Sequence, residues 1–317
     1  MPSETVIRRI FAYKINTPIL NIEQNKMNDK IYLNEIFESF LNEINAQDAQ
    51  YKPLRDGGKF FTLHNYHDSE DADFIEGTFH TTRYGSQNDI IAIENEAIEG
   101  QVLPNQGVKY DIHFVLSKKD GLLLVESDPY RVATRNTIET YLARKQLLLK
   151  DFINKYNALH KPFTIIDSFV FSIESVMDSG FESQLKKIVR IKEVSGYVEV
   201  KEDAQNAAVA KFRKPEKSED NDISDVTEMR VSLINSVRNS GLKQVKRFIK
   251  NSLDLQKFAR FEVSGYDNIN KKITATFNIK PVSFYVSVDQ NSNGIIDGSQ
   301  LLNQMVDIAK NENPLGE

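Results

Sequence analysis

The 317-residue sequence contains no cysteine and no tryptophan. Without cysteine, the chain cannot form a disulfide, bind zinc through thiolates or use a thiol as a nucleophile. This composition suits a reducing compartment, where disulfides are rare. We therefore expect a cytoplasmic protein.

Long apolar runs are also missing. The N-terminal stretch MPSETVIRRIFAYKI lacks the apolar segment of a secretory signal. No run approaches the roughly 20 apolar residues that a membrane helix needs, so we predict no insertion into a membrane. The net charge of −5 gives no overall attraction to a polyanion, and any basic surface must be local.

The residues that are present allow a substantial core, since 40% of them are apolar and 10% are aromatic. The length suggests two domains, because a domain usually spans roughly 100–200 residues. The segment 201–222 is charged and lacks core residues, which is typical of a linker or an exposed excursion. We therefore predict an N-terminal domain over 1–200 and a C-terminal domain over 223–317.

The pattern of apolar residues predicts both strands and helices. Amphipathic helices are predicted over 29–44, 136–159, 225–240 and 242–253, and alternating segments between them predict strands. Strands and helices follow one another without strict alternation. This order favours the α+β class, with two mixed domains of mainly antiparallel sheets flanked by helices.

The helix predicted over 242–253 separates apolar from basic residues. Its cations occur at spacings of three and four residues and therefore share one face; they are Lys243, Lys246, Arg247 and Lys250. Four cations on one face can neutralise several phosphates, and Arg213 and Lys214 of the 201–222 segment add to them. The pattern predicts contact with nucleic acid or an acidic protein partner, although a solvated amphipathic helix has the same pattern.

Three of the five histidines lie within seventeen residues, at His64, His67 and His80, and Asp68 adjoins them. Imidazole and carboxylate ligands suit a divalent metal that could activate water. An alternative function is therefore a metal-dependent hydrolase or nuclease with this divalent metal as its cofactor. Apart from this metal, the sequence predicts no cofactor. A pairing of His80 with His113 across neighbouring strands would explain the histidines equally well. The sequence leaves open whether the protein is an enzyme.

Two further patterns have simpler explanations. The stretch DQNSNGIIDGSQL matches the EF-hand loop at five of six constrained positions, but Gln300 stands where a bidentate glutamate is needed. We predict a strand-to-helix turn there, with the helix beginning at Gly298 or Ser299. The aromatic residues of two strands could stack bases on an open sheet next to Arg83, although core packing also accounts for them; they are Phe60, Phe61, Phe79 and Tyr84.

Several segments occur in an order that resembles a known family. They are FIEGTFHTTRYG, IHFVLSKKDGLLLVES, LKKIVRIKEVSGYVEVK and GYDNINKKITATFNIKPVSFYVSVDQNSNGIIDG. The chain is similar in this order to an uncharacterised bacterial domain-of-unknown-function family associated with phage-defence and mobile-element loci. The resemblance implies a cytosolic bacterial protein that binds or senses nucleic acid in antiviral defence. A structural subunit of a defence complex is an alternative, with the 136–159 helix as the surface for a homo-oligomer or for neighbouring gene products.

Overall fold

The computed structural model describes residues 4–176, 183, 185–199, 228–245, 248–249, 260–278 and 282–316. Contacts within the chain divide it into two units. The first unit comprises Met1–Val176 with Pro281–Glu317, and the second comprises Met177–Lys280.

The strands are β1 (Glu4–Asn16), β2 (Ile19–Asn21), β3 (Lys26–Asn28), β4 (Leu54–Asp56), β5 (Lys59–Asp68), β6 (Phe74–Arg83), β7 (Asn88–Ile91), β8 (Ile98–Val102), β9 (Tyr110–Ser117), β10 (Leu122–Glu126), β11 (Phe163–Ile165), β12 (Ser172–Ser175), β13 (Arg190–Glu199), β14 (Glu228–Ile234), β15 (Arg260–Tyr266), β16 (Lys272–Asn278) and β17 (Ser283–Gln290). Within the described residues, the helices whose bounds are defined are α1 (Asn34–Ala46), α2 (Arg135–Lys145), α3 (Lys150–Leu159) and α4 (Gly298–Asn311), and Gln146–Leu149 form a 3-10 turn. Every pairing among the described strands is antiparallel. The fold is therefore mixed but dominated by sheets, in agreement with the predicted α+β class.

The first unit is built on an eight-stranded sheet in the order β12-β1-β10-β9-β6-β5-β4, with β17 also paired to β1. Alternate residues of its strands point to opposite faces. On one face, Phe61 and Phe114 pack in a core with Phe40 of α1, Ile138 of α2 and Ile153 of α3. The helices α1, α2 and α3 thus share one side of the sheet.

The other face of this sheet has an apolar part and a polar part. Val115 and Leu124 pack with Leu301 and Met305 of α4. Further along β6 and β9, the residues on this face become polar, beginning at Glu76 on β6. They include Thr78, His80 and Thr82 on β6 and Asp111 and His113 on β9. Sequence alternation therefore places imidazoles and carboxylates together on one side of the sheet.

The second unit contains a four-stranded sheet in the order β14-β13-β15-β16. Its core includes Val194 of β13 and Phe261 and Val263 of β15, together with Val245 and Ile249. The predicted strands over β13, β15 and β16 are confirmed.

The predicted helix over 225–240 is wrong in its central part. Glu228–Ile234 form β14, which pairs with β13 residue by residue from Glu228↔Glu199 to Ile234↔Glu193. Met229, Val231 and Leu233 alternate with polar residues, so the same segment fits a strand as well as a helix. The neighbouring strand satisfies its backbone groups and decides between the two.

The predicted helix over 136–159 is present but broken. Its residues form α2 and α3, and the 3-10 turn Gln146–Leu149 separates them. The predicted domain limits also differ from the two units, because β13 precedes residue 200 but pairs with β14 and β15. In addition, β17 follows residue 223 but pairs with β1. The predicted linker 201–222 lies outside the described residues.

Candidate functional site

A cavity of about 610 Å³ lies beside the ends of β5 and β6 in the first unit. Neutral polar side chains and three further kinds of side chain line it. Arg55 and Lys109 carry positive charge, Phe60 and Tyr84 are aromatic, and His80 supplies an imidazole. Of the described residues that line this cavity, none carries a carboxylate. A cavity with these groups suits a ligand that has both negative charge and a planar apolar part.

The β4–β5 hairpin positions one wall of the cavity. Arg55 and Phe60 are cross-strand partners in this hairpin, and the Arg55 guanidinium lies 5.7 Å from the centre of the Phe60 ring. Tyr84 follows β6, and its backbone N–H donates to the carbonyl of Gly58 at 2.9 Å. The cation and the two rings therefore come from segments that the sheet holds together.

The loop before β9 also lines the cavity, through Asn105, Gln106 and Gly107. A Cβ atom at Gly107 would lie only 2.3 Å from the backbone oxygen of Arg83 and 2.4 Å from Thr82 Oγ1. Glycine is thus needed for this loop to approach the end of β6. The Gly85 N–H donates to the carbonyl of Pro104 at 2.8 Å, which ties the loop to the same strand end.

His80 and Lys109 share a carboxylate. The register of β6 and β9 places His80 opposite Asp111, and His80 Nε2 lies 3.0 Å from Asp111 Oδ1. Lys109 Nζ also lies 3.0 Å from Asp111 Oδ1. The imidazole and the ammonium are therefore neighbours at the cavity wall, and Asp111 is already paired with both.

His80 is a partly buried base. Burial is the largest influence that lowers the pKa of His80, and nearby His64 lowers it further. Asp111 acts in the opposite direction and raises this pKa, and Lys109 also lowers it. Because the pKa falls below the usual value of 6.5, the imidazole is neutral at pH 7 and can accept a proton.

His64 is the extra residue of a β-bulge. The register of β5 with β6 shifts between Leu63 and Asn65, and such a bulge changes the direction of a side chain. The ring of His64 stacks on that of His80, with a centroid separation of 3.7 Å and an interplanar angle of 19°.

The four predicted metal ligands do not come together. His67 Nε2 lies 3.6 Å from Glu76 Oε2, and Asp68 Oδ1 accepts a hydrogen bond of 2.7 Å from Lys118 Nζ. His64 and His80 stack on each other instead. Within the part of the chain that the structure describes, no group of three or more His, Cys, Asp or Glu side chains is placed to hold a metal ion.

The predicted pairing of His80 with His113 is wrong. His113 lies opposite Thr78 in the sheet, and its Nδ1 lies 2.8 Å from Glu126 Oε2. Glu126 is buried and also lies 3.8 Å from Arg8 Nε. The two histidines thus pair with different carboxylates.

The basic segment 242–253 is described only in part. Lys246, Arg247, Lys250, Arg213 and Lys214 lie outside the described residues. Lys243 is exposed and lines a second cavity of about 460 Å³ within the second unit.

The predicted apolar face of this segment is confirmed at two of its positions. Val245 and Ile249 are buried in the core of the second unit. Phe248 is less covered, with 38% of its surface exposed.

The EF-hand lookalike is a turn, as predicted. Asp297 caps α4, which begins at Gly298, by accepting a hydrogen bond of 3.0 Å from the Gln300 N–H. Gln300 Oε1 accepts from the Asp289 N–H at 2.7 Å, so its side chain binds the loop backbone. Gly294 has the positive φ of 77° that such a turn requires.

Some of the cavity residues were predicted from the sequence and others were not. Of the four aromatic residues considered for base stacking, Phe60 and Tyr84 line the cavity, whereas Phe61 and Phe79 are buried in the core. Arg55, Lys109 and Asp111 belong to no motif. Lys109 and Asp111 are two charged residues that flank Tyr110, the first residue of β9. Their relation to the cavity follows only from the register of β6 and β9, which places Asp111 opposite His80.

No protein-family model matches the chain, and no curated protein matches it. Among the helices in the described part of the chain, none has the length and apolar character needed to cross a bilayer.

Proposed function

We propose that this chain is a nucleic-acid-binding protein and that its cavity holds a phosphate together with a neighbouring base. One observation supports the proposal most strongly. Two cations, an imidazole and two aromatic rings line a single cavity of about 610 Å³. A nucleotide unit of a single strand has the matching parts, because its phosphate is anionic and its base presents a flat ring.

Arg55 is the cation best suited to the phosphate. Its Nη1 donates to the carbonyl of Gln50 at 3.2 Å, and a guanidinium has five N–H groups in a planar fork. The remaining donors can bind two oxygens of one phosphate, a geometry that arginine forms readily. Lys109 adds a second positive charge to the lining of the same cavity.

Phe60 and Tyr84 are suited to the base. Both side chains are only partly buried, so each can offer surface to a ligand. Stacking of a base on an aromatic side chain contributes roughly 1–3 kcal/mol and depends little on the base. We therefore expect affinity for single strands with little sequence preference.

The proposal predicts that removing the two cations weakens binding. In the Arg55→Gln/Lys109→Gln variant, we expect the Kd for a fluorescein-labelled single-stranded oligonucleotide to rise about tenfold at low salt, because two phosphate contacts are lost. The slope of log Kd against log salt concentration should also decrease, by roughly one to two. Fluorescence anisotropy titrations at several salt concentrations measure both quantities.

The matched control removes two cations elsewhere. Lys150→Gln/Lys155→Gln changes two exposed residues of α3, which packs on the opposite face of the sheet. This variant has the same net charge as the cavity variant, so its Kd should stay close to that of the parent protein. Equal weakening in both variants would show that only net charge matters and would contradict the role of the cavity.

The basic segment 242–253 belongs to the same proposal as a second contact with phosphate. Its Lys243 is exposed, and the pattern of its sequence places further cations beside it. The variant with Glu at Lys243, Lys246, Arg247 and Lys250 separates the two contacts in the same titration. Loss of oligonucleotide binding in this variant, with binding retained in the cavity variant, would place the nucleic-acid contact on the segment 242–253. The same variant tests an acidic protein partner when that partner replaces the oligonucleotide in the titration.

A role in bacterial defence extends the proposal. It is supported by the resemblance in the order of hairpins and helices, which also suggests assembly with neighbouring gene products. Nucleic acid bound to the protein as isolated from its host would identify the class of molecule that it senses. Sequencing of that nucleic acid would distinguish RNA from DNA.

A further inference from the structure

We propose that the same cavity cleaves RNA, with His80 as the general base and Lys109 as the general acid. This inference rests on the proposed binding of nucleic acid in the cavity and adds a substrate class and a reaction. The reaction is transesterification of a phosphodiester by the adjacent 2′-hydroxyl group. It requires a base, an acid and positive charge around one phosphate, and the cavity brings these three groups together.

The geometry prepares His80 to act as a base. Its Nε2 lies 3.0 Å from Asp111 Oδ1, so this carboxylate favours the tautomer that carries the proton on Nε2 and the free lone pair on Nδ1. The antiparallel register fixes the pair, because His80 and Asp111 are direct cross-strand partners. Asp111 is thus a positioning residue, and it also stabilises the imidazolium that forms.

The protons of the reaction balance between two neighbouring groups. His80 Nδ1 accepts the proton of the 2′-hydroxyl, and the oxygen forms a bond to phosphorus. The bond between phosphorus and the 5′ oxygen breaks, and that oxygen takes a proton from the Lys109 ammonium. The products are a 2′,3′-cyclic phosphate and a 5′-hydroxyl, and exchange with solvent returns His80 and Lys109 to their starting states.

Arg55 supplies charge stabilisation. Negative charge increases on the oxygens of phosphorus during the attack, and a cation held at those oxygens lowers the barrier. Arg55 lines the same cavity as His80 and Lys109. No redox partner or further reactant is required by this scheme.

The test uses two oligonucleotides that differ in one atom. The first is a DNA strand with a single ribonucleotide, and the second is the same strand entirely of DNA. We expect the protein to bind both with similar Kd in the presence of EDTA and to cleave only the first, on the 3′ side of the ribonucleotide. Mass spectrometry should identify the 2′,3′-cyclic phosphate at the new end.

Three variants assign the roles. His80→Gln should reduce kcat by at least about 100-fold, the usual contribution of a general base, and should change the Kd for the all-DNA strand far less than it changes kcat. Asp111→Asn should lower kcat and leave KM nearly unchanged, as expected for a residue that acts through His80. His67→Gln should have no effect, because His67 is exposed and pairs with Glu76 outside the cavity.

The outcomes separate this inference from the proposed function. Binding of both strands without cleavage would overturn the inference and leave the proposed function intact. Cleavage that disappears in EDTA would also overturn the inference and would favour a metal-dependent nuclease. Cleavage that persists in His80→Gln would overturn it as well. Absence of binding to either strand would overturn both proposals together.

Discussion

Replacement of Phe114 by alanine is expected to lower the free energy of unfolding of the first unit by about 3–5 kcal/mol. Phe114 is 1% exposed in the central strand β9. Its ring stacks on Phe79 with a centroid separation of 4.4 Å. The ring also covers Gly77, its cross-strand partner, where a Cβ atom would lie only 2.5 Å from it. Alanine would leave a cavity between Phe79 and Gly77, because the rigid strands cannot close over it.

Urea denaturation followed by far-UV circular dichroism measures this change, since the chain has no tryptophan to report by fluorescence. Phe163→Ala is the matched control, because Phe163 is 48% exposed in the short strand β11. We expect its effect to be well below about 1 kcal/mol. Similar losses of stability in the two variants would contradict the placement of Phe114 in the core.

Replacement of Asp128 by alanine should lower the free energy of unfolding by about 3 kcal/mol, because it leaves backbone donors without their acceptor. The Asp128 carboxylate is buried and accepts three hydrogen bonds of 2.8 Å each. The donors are the backbone N–H groups of Tyr130, Val132 and Ala133. These bonds shape the turn between β10 and α2, so their loss affects both the strand end and the start of the helix.

The comparison with two further variants makes the test specific. Asp128→Asn keeps one oxygen acceptor and should give an intermediate loss of stability. Asp29→Ala removes an exposed carboxylate that lies before α1, because this helix begins at Asn34 with Leu33 at the N-cap position. We expect an effect of Asp29→Ala within about 0.5 kcal/mol. An Asp128→Ala variant as stable as Asp29→Ala would refute the account of this turn.

The sequence predicted those parts of the fold in which local signals agree with tertiary packing. In β9 and β10, apolar runs flank the turn-forming pair Asp120 and Gly121, and Gly121 has a positive φ of 75°. The strand β14 was missed because Met229, Val231 and Leu233 fit both periodicities. Its partner β13 is distant in sequence and resolved the ambiguity only in the folded chain.

The candidate site was less predictable for a related reason. Its cations come from β4 and from the residue before β9, and neither segment has a motif. The partner of His80 depends on a register of β6 and β9 that alternation alone cannot fix. The β-bulge adds a single residue, His64, to β5 and changes the direction of its side chain. The close spacing of the histidines in the sequence therefore suggested a metal site. In the structure, His64 stacks on His80 and His67 pairs with Glu76.

Photocrosslinking of a bound oligonucleotide tests the central claim, which is that the cavity of Arg55, Phe60, His80, Tyr84 and Lys109 holds a nucleotide. An all-DNA strand with 5-iododeoxyuridine at successive positions would be irradiated on the protein, and the tryptic peptides would be analysed by mass spectrometry. Cleavage after Lys59, Arg83 and Lys109 gives separate peptides 60–83 and 84–109. We predict crosslinks at Phe60 and Tyr84 in these peptides. Crosslinks confined to other peptides, such as those of the segment 242–253, would contradict the claim.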